Sequence, residues 1–387
     1  MGETPNKPTE KTRLTHLGRD TKASKGFVNP PLYRGSTVLF PTIASMSQGG
    51  YGYWYGRKES PTFKALEQAI NDLEQSADTV LTPSGLSAIT TSLLALLKTG
   101  DHLLVSDSVY QPTRTFCDGP LKDLGVETTY YDPTIGSQIE TLLQARTKVI
   151  FLESPGSQTM EIQDVPAIQA VAASRGIKTI IDNTYATPLN FKPLTHGVDV
   201  SIHSGTKYFI GHADGLIGTI SSNAATAKTI RQTAYALGIC ASPEDAQLAL
   251  RGLRTLKIRL DHHEQNALEI AKWLQQQAEV AVVLHPALPS HPSHEIFARD
   301  FSGSTGLFSF VLKPTSKEAL ARMVDGMQHF AIGWSWGGYE SLILPFDPAP
   351  YRTATTWPHQ GPALRLHIGH EDVSDLKADL KAGLERL

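Results

Sequence analysis

The sequence predicts an α/β protein with a mostly parallel sheet, followed by a smaller α+β region. Short apolar runs at residues 103–105, 149–152 and 179–181 are near-continuous rather than alternating, which is typical of strands covered on both faces. Helical patterns such as that of residues 168–173 lie between these runs and indicate the right-handed crossovers of a parallel sheet. At 387 residues the chain exceeds the usual size of one domain, so a second domain is expected.

Residues 1–57 are predicted to form an extended N-terminal arm. They mix charges, glycines, Pro30-Pro31 and the aromatic run 51–55 without a sustained helical or strand period. Such a segment cannot bury its aromatic side chains alone. It therefore either wraps its own domain or packs on a neighbouring subunit, and we favour the second interpretation.

Residues 58–252 are predicted to form the main α/β domain. A helical apolar pattern from Phe63 to Leu73 leads into the short strand-like stretch 79–81, which stops at Pro83-Ser84-Gly85. The following segment, 86–98, is so rich in leucine and isoleucine that its helix must be largely buried. The order strand, turn and helix then repeats along the domain.

Residues 253–387 are predicted to form a C-terminal α+β domain. A long amphipathic helix spans about 257–276 and opens this part of the chain. Strand-like and helical segments then mix without regular alternation, which is typical of α+β folds. The strands are expected at 280–283, 308–311 and 364–368, and the helices at 317–328 and 372–386.

Composition excludes several classes of function. The formal net charge is -3 with 19% charged residues, so no broad basic field is available for nucleic acid or acidic membranes. Only two cysteines occur, which fits a reducing cytoplasm. No stretch resembles a signal peptide or a membrane span, and we expect no membrane anchor. His262 and His263 are neighbours on a helix, and His367 and His370 are expected on opposite faces of a strand, so no metal site is predicted.

Polar residues follow several of the predicted strands. In an open parallel sheet, ligands bind beyond the carboxyl ends of the strands, where these residues converge. The residues in question are Ser84-Gly85, Asp107-Ser108-Val109-Tyr110, Glu153-Ser154-Pro155, Asp182-Asn183-Thr184 and Ser204-Gly205-Thr206-Lys207.

This set of residues matches the chemical demands of pyridoxal 5'-phosphate (PLP), which needs an amine, an anion beside its pyridine nitrogen, phosphate donors and a flat partner for its ring. Lys207 is the predicted amine that forms the imine, and it also serves as the general base. Asp182 is the predicted anion that keeps the pyridine nitrogen protonated. Tyr110 follows its strand closely enough to stack on the ring and is the second candidate catalytic residue, expected to assist proton transfer.

The phosphate of PLP is expected at the start of the helix that follows residue 84. Free backbone N–H groups at Gly85 and Leu86 would point at the anion, next to Ser84. Ser204 and Thr206 add hydroxyl groups beside the lysine. Taken singly, each of these signals has an ordinary explanation, such as a surface lysine, a turn aspartate or a helix cap. It is their joint occurrence that favours a cofactor site.

Several motifs together resemble the Cys/Met-metabolism family of PLP enzymes, which have fold type I, the fold of aspartate aminotransferases. The resemblance covers nearly the whole chain and implies PLP as cofactor. It is carried by Tyr55-Gly56-Arg57, Ser84-Gly85, Tyr110, Asp182-Asn183-Thr184, Ser204-Gly205-Thr206-Lys207, the segment 335–342 and Arg365-Leu366-His367-Ile368-Gly369.

The resemblance also implies roles for residues other than those that follow the strands of the sheet. Tyr55 and Arg57 would reach into the phosphate site of a neighbouring subunit, which implies an obligate homodimer, and the family suggests a homotetramer. Arg365 would hold the substrate α-carboxylate; the alternative is a buried structural ion pair. Ser335 would orient the lysine, and Trp336 would contact the substrate.

The segment around Trp336 resembles the β-eliminating members of the family. The γ-acting members typically have Ser-Leu-Gly there, often Glu at the position of Trp334, and in one branch a cysteine near Pro112. The resemblance therefore implies cleavage of L-cystathionine to homocysteine, pyruvate and ammonia, in methionine biosynthesis. A γ-lyase or γ-synthase, a cysteine-S-conjugate β-lyase and a non-catalytic PLP-binding regulator are the alternatives. Trp334, in place of tyrosine, and His370, in place of an aliphatic residue, depart from the pattern and leave the fine substrate preference open.

Overall fold

The computed structural model describes residues 8–49 and 51–387. Residues 1–7, at the start of the predicted arm, and Gly50 lie outside the described residues. The strands of the described part are β1 Asp78–Thr82, β2 His102–Ser106, β3 Glu127–Tyr131, β4 Thr147–Glu153, β5 Lys178–Asp182, β6 Val200–Ser204, β7 Gly218–Ser222, β8 Val280–Leu284, β9 Leu307–Leu312, β10 Ala331–Ile332, β11 Leu342–Phe346 and β12 Ala363–His367.

Helices connect and cover these strands. The α-helices of the described part are α1 Glu10–Leu14, α2 Pro61–Glu74, α3 Gly85–Leu96, α4 Gln111–Phe116, α5 Val165–Ser174, α6 Thr187–Asn190, α7 Ala227–Ala236, α8 Pro243–Leu253, α9 Leu256–Leu274, α10 His294–Asp300, α11 Lys317–Asp325 and α12 Val373–Leu384. Short 3₁₀ or π turns occur at Ala44–Ser47, Cys117–Leu121, Gly136–Leu142 and Pro193–His196.

The first sheet has seven strands in the order β1-β7-β6-β5-β4-β2-β3. Strands β2 to β6 pair in parallel, while β7 runs antiparallel to both β6 and β1. This arrangement confirms the predicted α/β class with a mostly parallel sheet. Because β7 reverses direction between β1 and β6, these two strands point the same way, and their carboxyl ends open at the same edge as those of β2, β4 and β5.

The apolar side chains of this sheet pack into two separate hydrophobic cores, one on each face. On β2, Leu103 and Val105 pack on one face together with α3, whereas Leu104 packs on the other face together with α5. On β4, Phe151 and Ile150 divide between the same two cores. Successive side chains of a strand point to opposite faces, so a strand covered on both sides must be apolar at nearly every position.

The second sheet has five strands in the order β10-β11-β12-β9-β8. Strand β12 lies in the middle and pairs antiparallel with β11 and β9. Helices α9, α11 and α12 contribute to a core against this sheet, through residues such as Ile270, Met323 and Leu380. Arg365 thus projects from a central strand, between Leu344 and Ser309 on the neighbouring strands.

A long connection between β11 and β12 returns to the first sheet. We call residues 347–362 the strap. The carboxylate of Asp107, just beyond β2, accepts hydrogen bonds from the backbone N–H groups of Thr353, Ala354 and Thr355 at 3.0, 3.1 and 2.9 Å. Arg114 donates to the same carboxylate at 2.6 Å. The strap therefore ties the two sheets together next to the carboxyl edge of the first one.

The described part of the arm contacts its own chain at several points, and other parts of it are exposed. Leu14 of α1 is only 1% exposed, and Arg254 donates to its carbonyl at 2.8 Å. Beyond α1, large apolar side chains face solvent, among them Phe27, Leu39 and Ile43. Within residues 8–49 and 51–387, no helix has both the length and the apolarity needed to cross a membrane.

Candidate active site

A cavity of about 480 Å³ opens at the carboxyl edge of the first sheet. Both sheets and the strap contribute to its wall, since Arg365 comes from β12 and Tyr351 from the strap. Among the residues that line it are Ser84, Gly85, Leu86, Tyr110, Glu153, Asp182, Ser204, Thr206, Lys207, Trp334, Trp336, Tyr351 and Arg365. Most of the predicted cofactor and substrate residues thus come together in one place.

Lys207 projects into this cavity from the turn after β6. Its Nζ donates a hydrogen bond to Oγ of Ser335 at 2.7 Å and lies 5.4 Å from the centre of the Trp336 ring. Removal from bulk water and the nearby Arg365 guanidinium lower the pKa of Lys207 to about 8, although Asp182 opposes the shift. An amine with such a pKa is available as a nucleophile and base near neutral pH.

Asp182 ends β5 and faces the same cavity. Thr184 donates to Oδ1 from its backbone N–H at 3.0 Å and from its hydroxyl at 2.5 Å, so among the described residues Oδ2 has no donor. Desolvation raises the pKa of Asp182 despite these two bonds. Lys207 and His203 are near enough to favour the charged form, but neither bonds to this carboxylate, and a protonated pyridine nitrogen would be a direct cationic partner.

The start of α3 forms one side of the cavity. Ser84 caps the helix, accepting from the backbone N–H of Ser87 at 3.1 Å. The N–H groups of Gly85 and Leu86, at the first positions of the helix, have no acceptor among the described residues. A Cβ on Gly85 would come within 2.5 Å of the Ser204 Cβ, so only glycine fits there. The result is a narrow cradle with free donors, suited to a phosphate.

The two predicted hydroxyl donors differ in their present bonding. Thr206 already exchanges hydrogen bonds with the backbone of Ile217, donating to the carbonyl at 3.3 Å and accepting from the N–H at 3.1 Å. Ser204 ends β6 on the cavity wall beside Gly85. The Thr206 hydroxyl would have to give up its bond to the carbonyl of Ile217 in order to donate to a phosphate.

Arg365 is 5% exposed and faces the cavity from β12. Its Nη2 donates to the carbonyls of Gly333, Trp334 and Ser335 at 3.1, 3.1 and 3.0 Å, while its Nε is buried without a partner. None of the ion pairs between described residues includes Arg365, so the alternative of a structural ion pair has no support there. Burial lowers its pKa to about 10, which still leaves it charged and able to bind a carboxylate.

Tyr110 stands at the mouth of the cavity, 44% exposed. Its backbone N–H donates to Oε2 of Glu153 at 2.7 Å, and Glu153 lies beside Asp182 in the register of β4 and β5. Desolvation, with the neighbouring Asp182 adding to it, raises the pKa of Glu153 well above its usual range. We assigned no role to Glu153 from the sequence, although its place at the end of a strand next to Asp182 was a usable signal.

Two of the predicted residues lie outside the cavity. Arg57 donates to the backbone carbonyl of Tyr235 at 3.2 Å, and Tyr55 pairs with Thr37 in the arm. Both line a separate depression near Cys240. Within one chain they cannot contact a cofactor held by Lys207.

Tyr351 is a cavity residue that the sequence did not reveal. Its hydroxyl donates to the side chain of Gln158 at 3.1 Å, and both residues line the cavity. Tyr351 is brought there by the path of the strap. The residues around Tyr351 form no local sequence pattern that predicts its place in the cavity wall, so the sequence offered no signal for it.

Taken together, this chemistry fits PLP. A lysine with a lowered pKa, an aspartate without a directly bonded cation, free N–H groups at a helix start and an arginine without an ion-pair partner share one cavity at the carboxyl edge of a mostly parallel sheet. Fold and site thus define the class: a PLP-dependent enzyme of fold type I.

Comparison with known proteins places the chain within that class. The profile of the Cys/Met metabolism PLP-dependent enzyme family matches residues 11–385. The chain is 52% identical over 376 residues to a protein of Rhizobium johnstonii, covering 96% of this chain and 95% of that relative. It is 44% identical over 389 residues to cystathionine beta-lyase MetC of Escherichia coli, covering 97% and 98%. The chain therefore belongs to the Cys/Met metabolism family of PLP-dependent enzymes.

A solved structure agrees with the fold. The crystal structure of cystathionine gamma synthase from Xanthomonas oryzae pv. oryzae, in complex with aminoacrylate and cysteine, superimposes with a TM-score of 0.90 at 34% identity. The match covers 98% of this chain and 99% of that one. The fold is thus shared with γ-acting as well as β-acting enzymes, and the kind of elimination has to be argued from the site.

Proposed function

We propose that this protein is a carbon–sulfur β-lyase that cleaves L-cystathionine to homocysteine, pyruvate and ammonia. The observation that carries the proposal is the Lys207 amine, held 2.7 Å from Ser335 within the cavity that Asp182 and Arg365 also line. One base, one anion for the pyridine nitrogen and one cation for the substrate carboxylate are what a β-elimination on an amino acid requires.

The choice of β-elimination rests on the wall beside the lysine and on the relatives. Trp334 and Trp336 line the cavity, at positions where many γ-acting members have glutamate and leucine, respectively. The name of the E. coli relative, at 44% identity, is that of a β-lyase. A place in methionine biosynthesis follows from the product, since homocysteine is one methyl group short of methionine.

The residues that would hold the cofactor follow from the geometry of the cavity. Gly85 and Leu86 would bind its phosphate through their free N–H groups, with Ser84, Ser204 and Thr206 around it. Asp182 would bind the pyridine nitrogen, and Tyr110 would cover the ring. When bound, PLP supplies an electron sink conjugated with the α-carbon of the amino acid.

Lys207 is proposed to move the proton. Arg365 fixes the substrate through its α-carboxylate, so that the α-hydrogen can point at Nζ. Lys207 then removes this proton, and Ser335 keeps the amine in place. The Cβ–S bond breaks with its electron pair going to sulfur, and Lys207 delivers a proton to the leaving thiolate. Addition of water to the remaining three-carbon unit gives pyruvate and ammonia.

We further propose the domain and subunit organisation. Residues 58–252 form the cofactor-binding domain and residues 253–387 a second domain, which fits the separate seven- and five-stranded sheets. The arm, residues 1–57, contacts a neighbouring subunit in an obligate dimer, two of which form a homotetramer. The exposed apolar residues of the arm support an intersubunit contact, as does the distance of Arg57 from its own cavity. A cytoplasmic location fits its two free cysteines.

Product analysis tests the proposed reaction. Purified protein with PLP is given L-cystathionine, and keto acid and free thiol are identified and counted together. We expect pyruvate and homocysteine in equal amounts, and a loss of at least about a thousandfold in rate for Lys207→Ala, because that variant lacks the base. Formation of 2-oxobutyrate and cysteine would instead identify a γ-lyase. A bound cofactor without any product from thioether amino acids would favour a non-catalytic PLP protein.

A further inference from the structure

His367 is a buried histidine directly behind the cavity. It ends β12, two residues after Arg365, and its side chain is 0% exposed. The expected opposite orientation of His367 and His370 is wrong, because His370 lies beyond the end of the strand. Both rings pack against the ring of His263 on α9, with centroid distances of 5.1 and 4.7 Å.

The ring of His367 contacts the backbone of one segment of the cavity wall. Its Nε2 lies 3.0 Å from the carbonyl oxygen of Gly338 and 3.2 Å from the backbone nitrogen of Gly337. With its proton on Nε2 the ring donates to the Gly338 carbonyl, and with its proton on Nδ1 the Nε2 atom accepts from the backbone N–H of Gly337. In either tautomer Nε2 is bonded to the backbone of residues 337–338, while Nδ1 has no partner among the described residues.

That segment touches the lysine and the arginine of the site. Ser335 accepts the hydrogen bond from Nζ of Lys207, and the carbonyls of residues 333–335 accept from Arg365. Gly337, with φ +86°, lies so close to Lys207 that an added Cβ would be 3.0 Å from its Cα. A shift of the backbone at 337–338 would therefore disturb the lysine, its hydroxyl partner and the carboxylate site at once.

We propose that His367 is a positioning residue for the proposed β-elimination: it anchors residues 335–338 and thereby sets the Lys207–Ser335 contact and the orientation of Arg365. This role rests on the proposed function but acts on the cofactor lysine itself.

The surroundings of His367 keep it neutral. Burial, with Arg365, His370 and Lys207 adding to it, lowers its pKa to about 4, against a raising effect of the bond to Gly338. Tyr208, next to Lys207, packs beside the ring with centroids 6.2 Å apart. A neutral imidazole holds the segment equally at every working pH, and so its effect is one of geometry.

The experiment compares two polar substitutions. In His367→Gln the amide nitrogen reaches about as far as Nε2 and keeps the bond to Gly338, whereas in His367→Asn it is too short. His285 is a second histidine with 0% exposure; it accepts from the backbone N–H of Ala287 and packs on Phe308, whose ring lies on the other face of the sheet from Arg365. His285→Gln and His285→Asn are therefore matched controls. PLP content, melting temperature, kcat and KM are measured for all four, with the absorbance of the lysine-bound cofactor titrated against pH.

We expect His367→Asn to raise KM for L-cystathionine about tenfold and to shift the midpoint of the absorbance titration by about half a pH unit or more, at wild-type PLP content. His367→Gln should restore both, and the His285 variants should change only the melting temperature. Equal losses in Asn and Gln, or an unchanged midpoint, would overturn the positioning role. The absorbance readout does not need turnover, so it remains decisive even if wild-type protein forms no pyruvate.

Discussion

At the scale of single residues, the cavity places Lys207 between opposing charges. Asp182 favours its protonated form, while Arg365 and desolvation disfavour it, and the net effect lowers its pKa to about 8. The same arginine has no carboxylate partner within the described chain and keeps its Nε unpaired. Both residues are held in states that are unfavourable without a ligand, as expected of groups that a cofactor and a substrate complete.

The lowered pKa of Lys207 predicts how the stability of cofactor-free protein depends on pH. Between pH 8 and the ordinary lysine pKa of 10.5, the unfolded chain keeps a proton that the folded protein has lost, so the free energy of unfolding rises with pH. Lys207→Met lacks this contribution. The variant should therefore be more stable than wild type below pH 8, by about 1 to 3 kcal/mol, and this advantage should shrink towards pH 10. Urea unfolding of both proteins across this range measures it, and a constant difference would contradict the pKa shift.

The sequence predicted individual residues well where chemistry demands one residue type. Lys207, Asp182 and Arg365 were identified because an amine, an anion and a cation are each needed and few residues can supply them; their roles stay predictions, while the cofactor and the family are confirmed. Glu153 was passed over because a carboxyl that follows a strand usually ends a turn. Only its register beside Asp182 gives it meaning, and register is a property of the folded sheet.

At the scale of elements, the start of α3 and the end of β6 form the cradle. The sequence predicted α3 because leucines and isoleucines are dense there and Ser84-Gly85 precedes them. No comparable run of apolar residues marks β3 and β7 in the sequence. Strand β3 lies at the sheet edge and carries Thr128 and Thr129, while β7 is buried but polar, with Ser221 bonded to Thr79 at 2.8 Å. Hydrogen bonds between strands satisfy the hydroxyls of Ser221 and, through His102, of Thr129, so no apolar run was needed.

The cradle makes Gly85 sensitive to one added carbon. In Gly85→Ala the new Cβ would meet the Ser204 side chain at 2.5 Å, so the two walls must separate and the phosphate donors move. We expect the affinity for PLP to fall about tenfold to a hundredfold, the effect of a strain of 1 to 3 kcal/mol. Titration of cofactor-free protein with PLP measures this. Gly119→Ala is the matched control, because a Cβ there meets nothing within 4 Å, and equal affinities of the two variants would contradict the cradle.

At the scale of the whole molecule, two of the predicted cofactor residues lie away from the cavity. Tyr55 and Arg57 lie in a depression of their own, and the arm exposes Phe27, Leu39 and Ile43 at 74%, 77% and 88%. Monomeric proteins rarely expose so much apolar surface in one segment. A second copy of the chain that covers the arm and receives Arg57 would account for both observations.

Mixing two inactive variants tests shared sites. Arg57→Ala removes the residue that a chain would contribute to its neighbour's site, and Lys207→Ala removes the lysine of the chain's own site. If sites are shared, a heterodimer of the two variants has one site in which both residues are intact. Random reassociation of equal amounts should restore about a quarter of the wild-type rate, since half of the dimers are mixed and each has one intact site. Activity is measured on the mixture and again on mixed dimers purified by distinct tags, which should have about half of the wild-type rate. Mixed dimers that stay inactive would show that each site is built from one chain.

The strand order and the path of the strap could not have been predicted from the sequence. Both depend on contacts between residues far apart in the chain, such as Asp107 with Thr353 and Thr355, which leave no periodic trace. The fold class, by contrast, was predictable and is confirmed, because burial on two faces leaves a visible pattern in each strand.

The strap has a consequence for how the protein comes apart. Asp107 is buried and accepts hydrogen bonds from the nearby Arg114 and from three backbone N–H groups of the strap, which is distant in the chain. Opening the second sheet would leave that carboxylate paired with Arg114 but without its three backbone donors, and each hydrogen bond lost by a charged group costs about 1.5 to 3 kcal/mol. The hydrogen bonds between Asp107 and the strap thus couple the two sheets. We therefore expect the two sheets to unfold in a single transition.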